Sequence, residues 1–188
     1  MSWTCHRIDR EFTPIEAERI TGVSTALQRD WRRRKIIASK EDGKWTRWEL
    51  DDLVRLSVMK LFSEAGMDVS KTGTVASMAM MPTYAAFAQF NTAHEFAGDQ
   101  ISDAEKERIL ATFAPRTSHP SHTFGRYLAS FGKDEMQVCR VASLDQLAEF
   151  MIEQKQAVFA VVDCHQVAAQ IVERAGGPIT RFEIETQE

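Results

Sequence analysis

The chain has few cysteines, tyrosines and prolines: three, two and five in 188 residues. Cys5, Cys139 and Cys164 are scattered and odd in number, which argues against a disulfide framework and for reduced thiols. No run of about 18 apolar residues occurs, so no membrane-spanning helix and no membrane partner are expected. The first residues include Asp9 and Glu11 and no apolar stretch. No signal peptide is therefore expected, and the cytoplasm is the expected compartment. A Gly-rich phosphate loop, a nucleophile elbow and a zinc-protease pattern are all missing. The expectation is a protein that is not an enzyme and needs no cofactor.

An excess of positive charge is also missing: the formal net charge is -4. Its distribution is uneven. Residues 1–60 hold 13 Lys/Arg against 10 Asp/Glu, and the remainder hold 10 against 17. Between Arg29 and Arg47 there are eight basic and three acidic residues. DNA responds to such a local patch within a Debye length of about 10 Å, not to the global balance.

The patch sits in a helix-turn-helix pattern. Thr13-Pro14 is a helix start, a hydroxyl cap followed by proline, with Glu16 at the capping-box spacing. Ile15, Ala17 and Ile20 are the apolar positions of this first helix. Gly22 ends it, because glycine takes a left-handed conformation at no steric cost. Ser24 caps a second helix running to about Lys35, with Val23, Leu27 and Trp31 as the buried stripe. Thr25, Gln28, Arg29, Arg32 and Arg33 fall largely on other faces. Arginine can read guanine, glutamine can read adenine, and both can bind phosphate.

Ile36-Ile37 reads as a short strand, residues 40–44 as a polar turn around Gly43, and Trp45-Thr46-Arg47-Trp48 as the returning strand. Such a hairpin would be a wing, with Lys44 and Arg47 on phosphates. A helix from about Glu49 to Ala65 follows, ended by Gly66, and a weaker one from Val69 to Met81.

Residues 12–81 resemble the MerR family of winged-helix regulators. The resemblance is carried by Phe12-Thr13-Pro14-Ile15, Thr21-Gly22-Val23-Ser24, Arg29 with Trp31, Ile36-Ile37, Arg47-Trp48, Asp52-Leu53 and Gly66. It implies DNA-backbone contacts for Arg29 and Arg47. Lys35 stands where the family usually has glycine, and Asp30 where tyrosine is common.

The fold expected is α+β, in four parts. Residues 1–11 are an N-terminal extension, and residues 12–81 a winged helix-turn-helix, mostly α with a short β wing. Residues 82–122 are a helical linker and possible dimerisation region, and residues 123–188 a small α/β unit. Sustained heptads are absent from the linker, where Tyr84, Phe87, Phe90 and His94 form one stripe and Ser102 caps a further segment. The C-terminal unit reads ββαβαβ, with Ala157 to Val162 as a buried strand.

His119 and His122 flank Pro120 in a loop, and Cys139, Cys164 and His165 are scattered. Neither set has the spacing of a zinc site, and no metal is expected. Asp163, after a buried strand, reads as a helix cap. The partner expected is double-stranded DNA, bound by a homodimer, with Ser24, Thr25, Gln28, Arg29, Arg32, Arg33, Lys44 and Arg47 as the contact residues. A MerR-like transcription regulator is the first reading. An excisionase-like architectural protein, or a protein-interaction module acting through the C-terminal unit, is the alternative.

Overall fold

The chain alternates helices and strands in the order β1, α1–α5, β2, α6, β3, β4, α7, β5, α8, β6. The computed structural model describes residues 2–38, 47–113, 125–132, 137–155 and 158–187. The whole turn of the expected wing, residues 40–44 with Lys44, and Trp45-Thr46 of its returning strand lie outside the described residues, as do His119 and His122.

Short-range chemistry sets the helices. Thr13 caps α1 (Pro14–Thr21) in a capping box with Glu16, and Gly22 closes it at φ 73° with its N–H on Glu18 O. Ser24 caps α2 (Thr25–Arg33), its Oγ accepting from Leu27 N at 3.2 Å. Glu49 and Asp52 form a capping box at the start of α3 (Leu50–Glu64). A 3-10 turn at Val69–Lys71 leads to α4 (Gly73–Met78) and α5 (Met80–Phe87). Ser102 pairs with Glu105 at the head of α6 (Asp103–Phe113), and Ser143 caps α7 (Leu144–Gln154). Asp163 caps α8 (Cys164–Ala175), accepting from the N–H groups of His165 and Gln166.

The architecture is α+β, with a helical middle and a C-terminal ββαβαβ order. Among the described residues, six strands form two three-stranded sheets: β1 (Ser2–Asp9), β6 (Thr180–Gln187), β2 (His94–Gly98), and β4 (Gln137–Val141), β3 (Tyr127–Phe131), β5 (Ala160–Asp163). Residues 2–9, read as an extension, are a full strand antiparallel to β6 from Ser2↔Gln187 to Asp9↔Thr180. His94, assigned to a helical stripe, instead opens β2, parallel to β6. The last strand of the ββαβαβ order thus leaves its own sheet. It becomes the centre of the other, where Phe182 and Ile184 are buried beside Ile109. β5 is an edge strand rather than a buried one, with Val161 42% exposed.

One apolar core runs through most of the molecule. Phe12, Ile20, Trp31, Trp48, Leu53, Met59 and Phe62 join Phe87, Ile171 and Ile179 in it. α8 packs on α5, α1 and α3. Polar ties reinforce its contact with α1: Arg10 and Arg19 donate to Ala175 O, and Arg174 donates to Ile20 O. These guanidinium groups satisfy helix-end carbonyls that have no partner within their own helix. Ile15 is not part of the core. At 75% exposed it lies opposite Ala17 and Ile20, because two residues advance a helix by about 200°.

Candidate nucleic-acid interface

The end of α2 determines how its arginines are displayed. Lys35 has φ 57°, the left-handed conformation that glycine adopts most cheaply. Its N–H donates to Arg32 O at 2.9 Å, and Ile36 N donates to Trp31 O at 2.8 Å. This paired pattern is a Schellman closure, with Ile36 turned onto the core that holds Trp31. Ile36-Ile37 therefore forms no strand, contrary to the sequence reading. The backbone N–H of Ile36 is already spent on the helix end. The pairing seen near the expected wing is instead Phe12 with Trp48, which exchange both backbone bonds at 2.9 and 2.8 Å.

Gln28 requires a correction. It is 1% exposed, and its side chain is consumed inside the protein. Nε2 donates to Pro14 O at 3.0 Å and to Val23 O at 2.9 Å, and Oε1 accepts from Trp48 Nε1 at 3.0 Å. It braces α2 against the start of α1 and against Trp48, and no amide edge is left to read a base. A glutamine at a helical spacing of three before Trp31 was the available signal, since that spacing shares the tryptophan's buried face.

The other positions divide by what they touch. Ser24 is occupied as a cap. Thr25 is half-buried, with its N–H on Glu18 Oε2 at 2.8 Å. Arg29 and Arg47 are exposed. Arg32 is half-buried with its guanidinium 4.3 Å above the Trp48 ring, a geometry that supplies cation–π attraction. Burial pushes its ionisation downward, and the Asp52 carboxylate works in the opposite direction. Arg33 projects with 81% of its side chain exposed, yet Nη2 meets Asp30 Oδ1 at 2.5 Å; Arg34 approaches Asp30 at 3.6 Å. Asp30 thus turns back along its own helix and pairs with Arg33 and Arg34.

Arg29, Arg32 and Arg47 converge. With Thr25 and Ile15 they line an open cleft of about 550 Å³ between the head of α1 and α2. Among the described residues, every charged side chain in that lining is an arginine. Arg47 is remote from Arg29 in sequence. The Phe12–Trp48 bridge places it there by fixing the adjacent residue to the strand-like segment before α1. Glu16, one residue from Ile15, is held by Thr13 N at 2.8 Å and Arg10 Nη2 at 2.6 Å. These bonds, the Thr13 N–H foremost, lower its pKa to about 2, so it stays ionised and fixed in the cap of α1.

Elsewhere, Cys164 is buried and its thiol is pushed up to about 12 by loss of solvent. Asp163 is bound by Arg126 at 2.6 Å besides capping α8. Among the described residues no group of three or more His, Cys, Asp or Glu is arranged to hold a metal ion. Among them, too, no helix is long and apolar enough to cross a membrane. No protein-family model matches the chain, and no curated protein does.

Proposed function

We propose that the chain is a sequence-specific double-stranded DNA-binding regulator of MerR-like winged-helix type. α2 enters the major groove and the segment around Arg47 lies on the flanking backbone. The observation that carries this reading is the convergence of Arg29, Arg32 and Arg47 on one open cleft whose lining, among the described residues, includes no carboxylate. Arg29 and Arg47 serve as phosphate clamps, which position the protein without specifying sequence. Arg32, stacked on Trp48, is pre-ordered and gives up less side-chain entropy on contact than a freely rotating arginine. Arg33 is half-neutralised by Asp30 and contributes less than its exposure suggests.

Binding as a homodimer to a two-fold site belongs to the same proposal, because paired half-sites multiply specificity. The test is selection of binding sequences from a random duplex pool with the full chain. A common motif, present as an inverted repeat, is the expected result. Recovery of no common motif would end the sequence-specific reading, and a single unpaired half-site would end the dimer.

A further inference from the structure

A second cleft lies far from α2 in sequence, between the β1–β6–β2 sheet and α6. It encloses about 680 Å³, within the range of small-molecule sites. Its walls come from three elements, β1, α6 and β6, that no local motif links. Trp3, Cys5 and Arg7 alternate along β1, which points all three to one face of the sheet. Phe182 lies beside them on β6, and Arg108, Ile109 and the exposed Thr112 come from α6.

The floor is rigid and apolar. Phe182 is 1% exposed and stacks on Phe96 at 5.0 Å, and Ile109 is 5% exposed. The Trp3 ring is held by its Nε1 donating to Glu105 Oε1 at 2.9 Å. Cys5 is half-buried, and desolvation raises its thiol pKa, so it presents a neutral sulfur to the cavity. The rim differs. Among the described residues, the two charged side chains in the lining are both guanidinium groups. Arg7 is bound to Asp9 at 2.7 Å and lies over the Tyr84 ring, which leaves Arg108, exposed on α6, as the more available cation.

We infer that this cleft is a binding site for a small amphipathic anion, an aromatic acid of one to three rings, its rings on Trp3, Ile109 and Phe182 and its acid group on Arg108. An aromatic ring displaces water from the floor. A carboxylate or sulfonate at the rim gains a charge-assisted hydrogen bond to guanidinium. The site stands independently of DNA binding, since none of its residues lines the α2 cleft.

The test uses the full chain and two dyes: 8-anilinonaphthalene-1-sulfonate and its uncharged analogue N-phenyl-1-naphthylamine. Saturable, one-site fluorescence enhancement is expected with the sulfonate, at least fivefold tighter than with the neutral dye. Arg108→Gln weakens the sulfonate at least fivefold and moves the neutral dye less than twofold. Thr112→Trp, which fills the mouth, weakens both at least tenfold. Arg29→Gln, in the other cleft, changes neither. Saturating sulfonate also slows iodoacetamide alkylation of Cys5 at least threefold while leaving Cys139 unchanged, a readout that needs no variant to fold. The inference is overturned by absence of saturable binding, by equal affinity for the two dyes, by loss of binding in Arg29→Gln rather than Arg108→Gln, or by unprotected Cys5.

Discussion

Gln28 shows how a residue type that reads bases can instead hold a fold together. Its three hydrogen bonds reach Pro14 O, Val23 O and Trp48 Nε1. Gln28→Ala leaves two carbonyls and an indole N–H to find other partners in a buried site, where each unsatisfied group costs about 1–3 kcal/mol. The expected outcome is a stability loss of about 2–4 kcal/mol by urea denaturation, with no change in the preferred DNA sequence of the protein that remains folded. Lys35 makes the converse case. It takes the backbone conformation of a glycine without being one, so Lys35→Gly should raise stability by about 0.5–1 kcal/mol. The same denaturation series checks it. Glu16 links a cap to pH. Its folded pKa of about 2 lies below the ordinary 4.5, so the native state favours the ionised form. That stabilisation is complete above about pH 4.5 and is lost as pH falls toward 2. Glu16→Gln should therefore flatten the acid limb of stability across that window; a limb identical to the wild-type chain's would show that other carboxylates carry it.

Helices were largely legible in the sequence, because their ends are written in neighbouring residues. Thr13 with Glu16, Ser24, Gly22, Ser102 and Asp163 each act within one turn, and each occupies its expected capping role. Strands were legible only where a turn, an apolar run or a clean alternation announced them, as for β3 and β4, β5 and β6 respectively. β1 was not. Its alternation of Trp3, Cys5 and Arg7 with Thr4, His6 and Ile8 is chemically blurred, and its partner β6 lies at the opposite end of the sequence. No local pattern encodes such a pairing. The same non-locality moved His94 from a helix face to β2. Since β1 covers one edge of β6 along eight residues, deleting residues 1–9 uncovers the strand that carries Phe182 and Ile184. The expected effect is a melting temperature lower by about 6–12 °C, taking about 3 kcal/mol of lost burial and pairing. Differential scanning calorimetry measures it; an unchanged transition would mean that β1 pairs without stabilising.

At the level of the whole molecule, the head that presents the arginines does not stand on its own core. Ile20, Trp31 and Leu53 share one apolar cluster with Ile171 and Ile179 of the C-terminal part. Arg10, Arg19 and Arg174 bind across the α1–α8 contact. Of the candidate interface, Arg29, Arg47 and Thr25 were readable from helix phase and charge. The burial of Gln28 was signalled only by its spacing of three before Trp31; its three partners and the partial neutralisation of Arg33 were not readable, because both depend on what each side chain meets in space. The central claim is that Arg29 and Arg47 form one cationic surface for the DNA backbone. The most direct measurement is the affinity of the full chain for its selected duplex across a salt series, beside Arg29→Gln and Arg47→Gln. Each variant should lose affinity and reduce the slope of log K against log salt by about 0.9, one phosphate contact. Slopes and affinities unchanged in both variants would contradict the account.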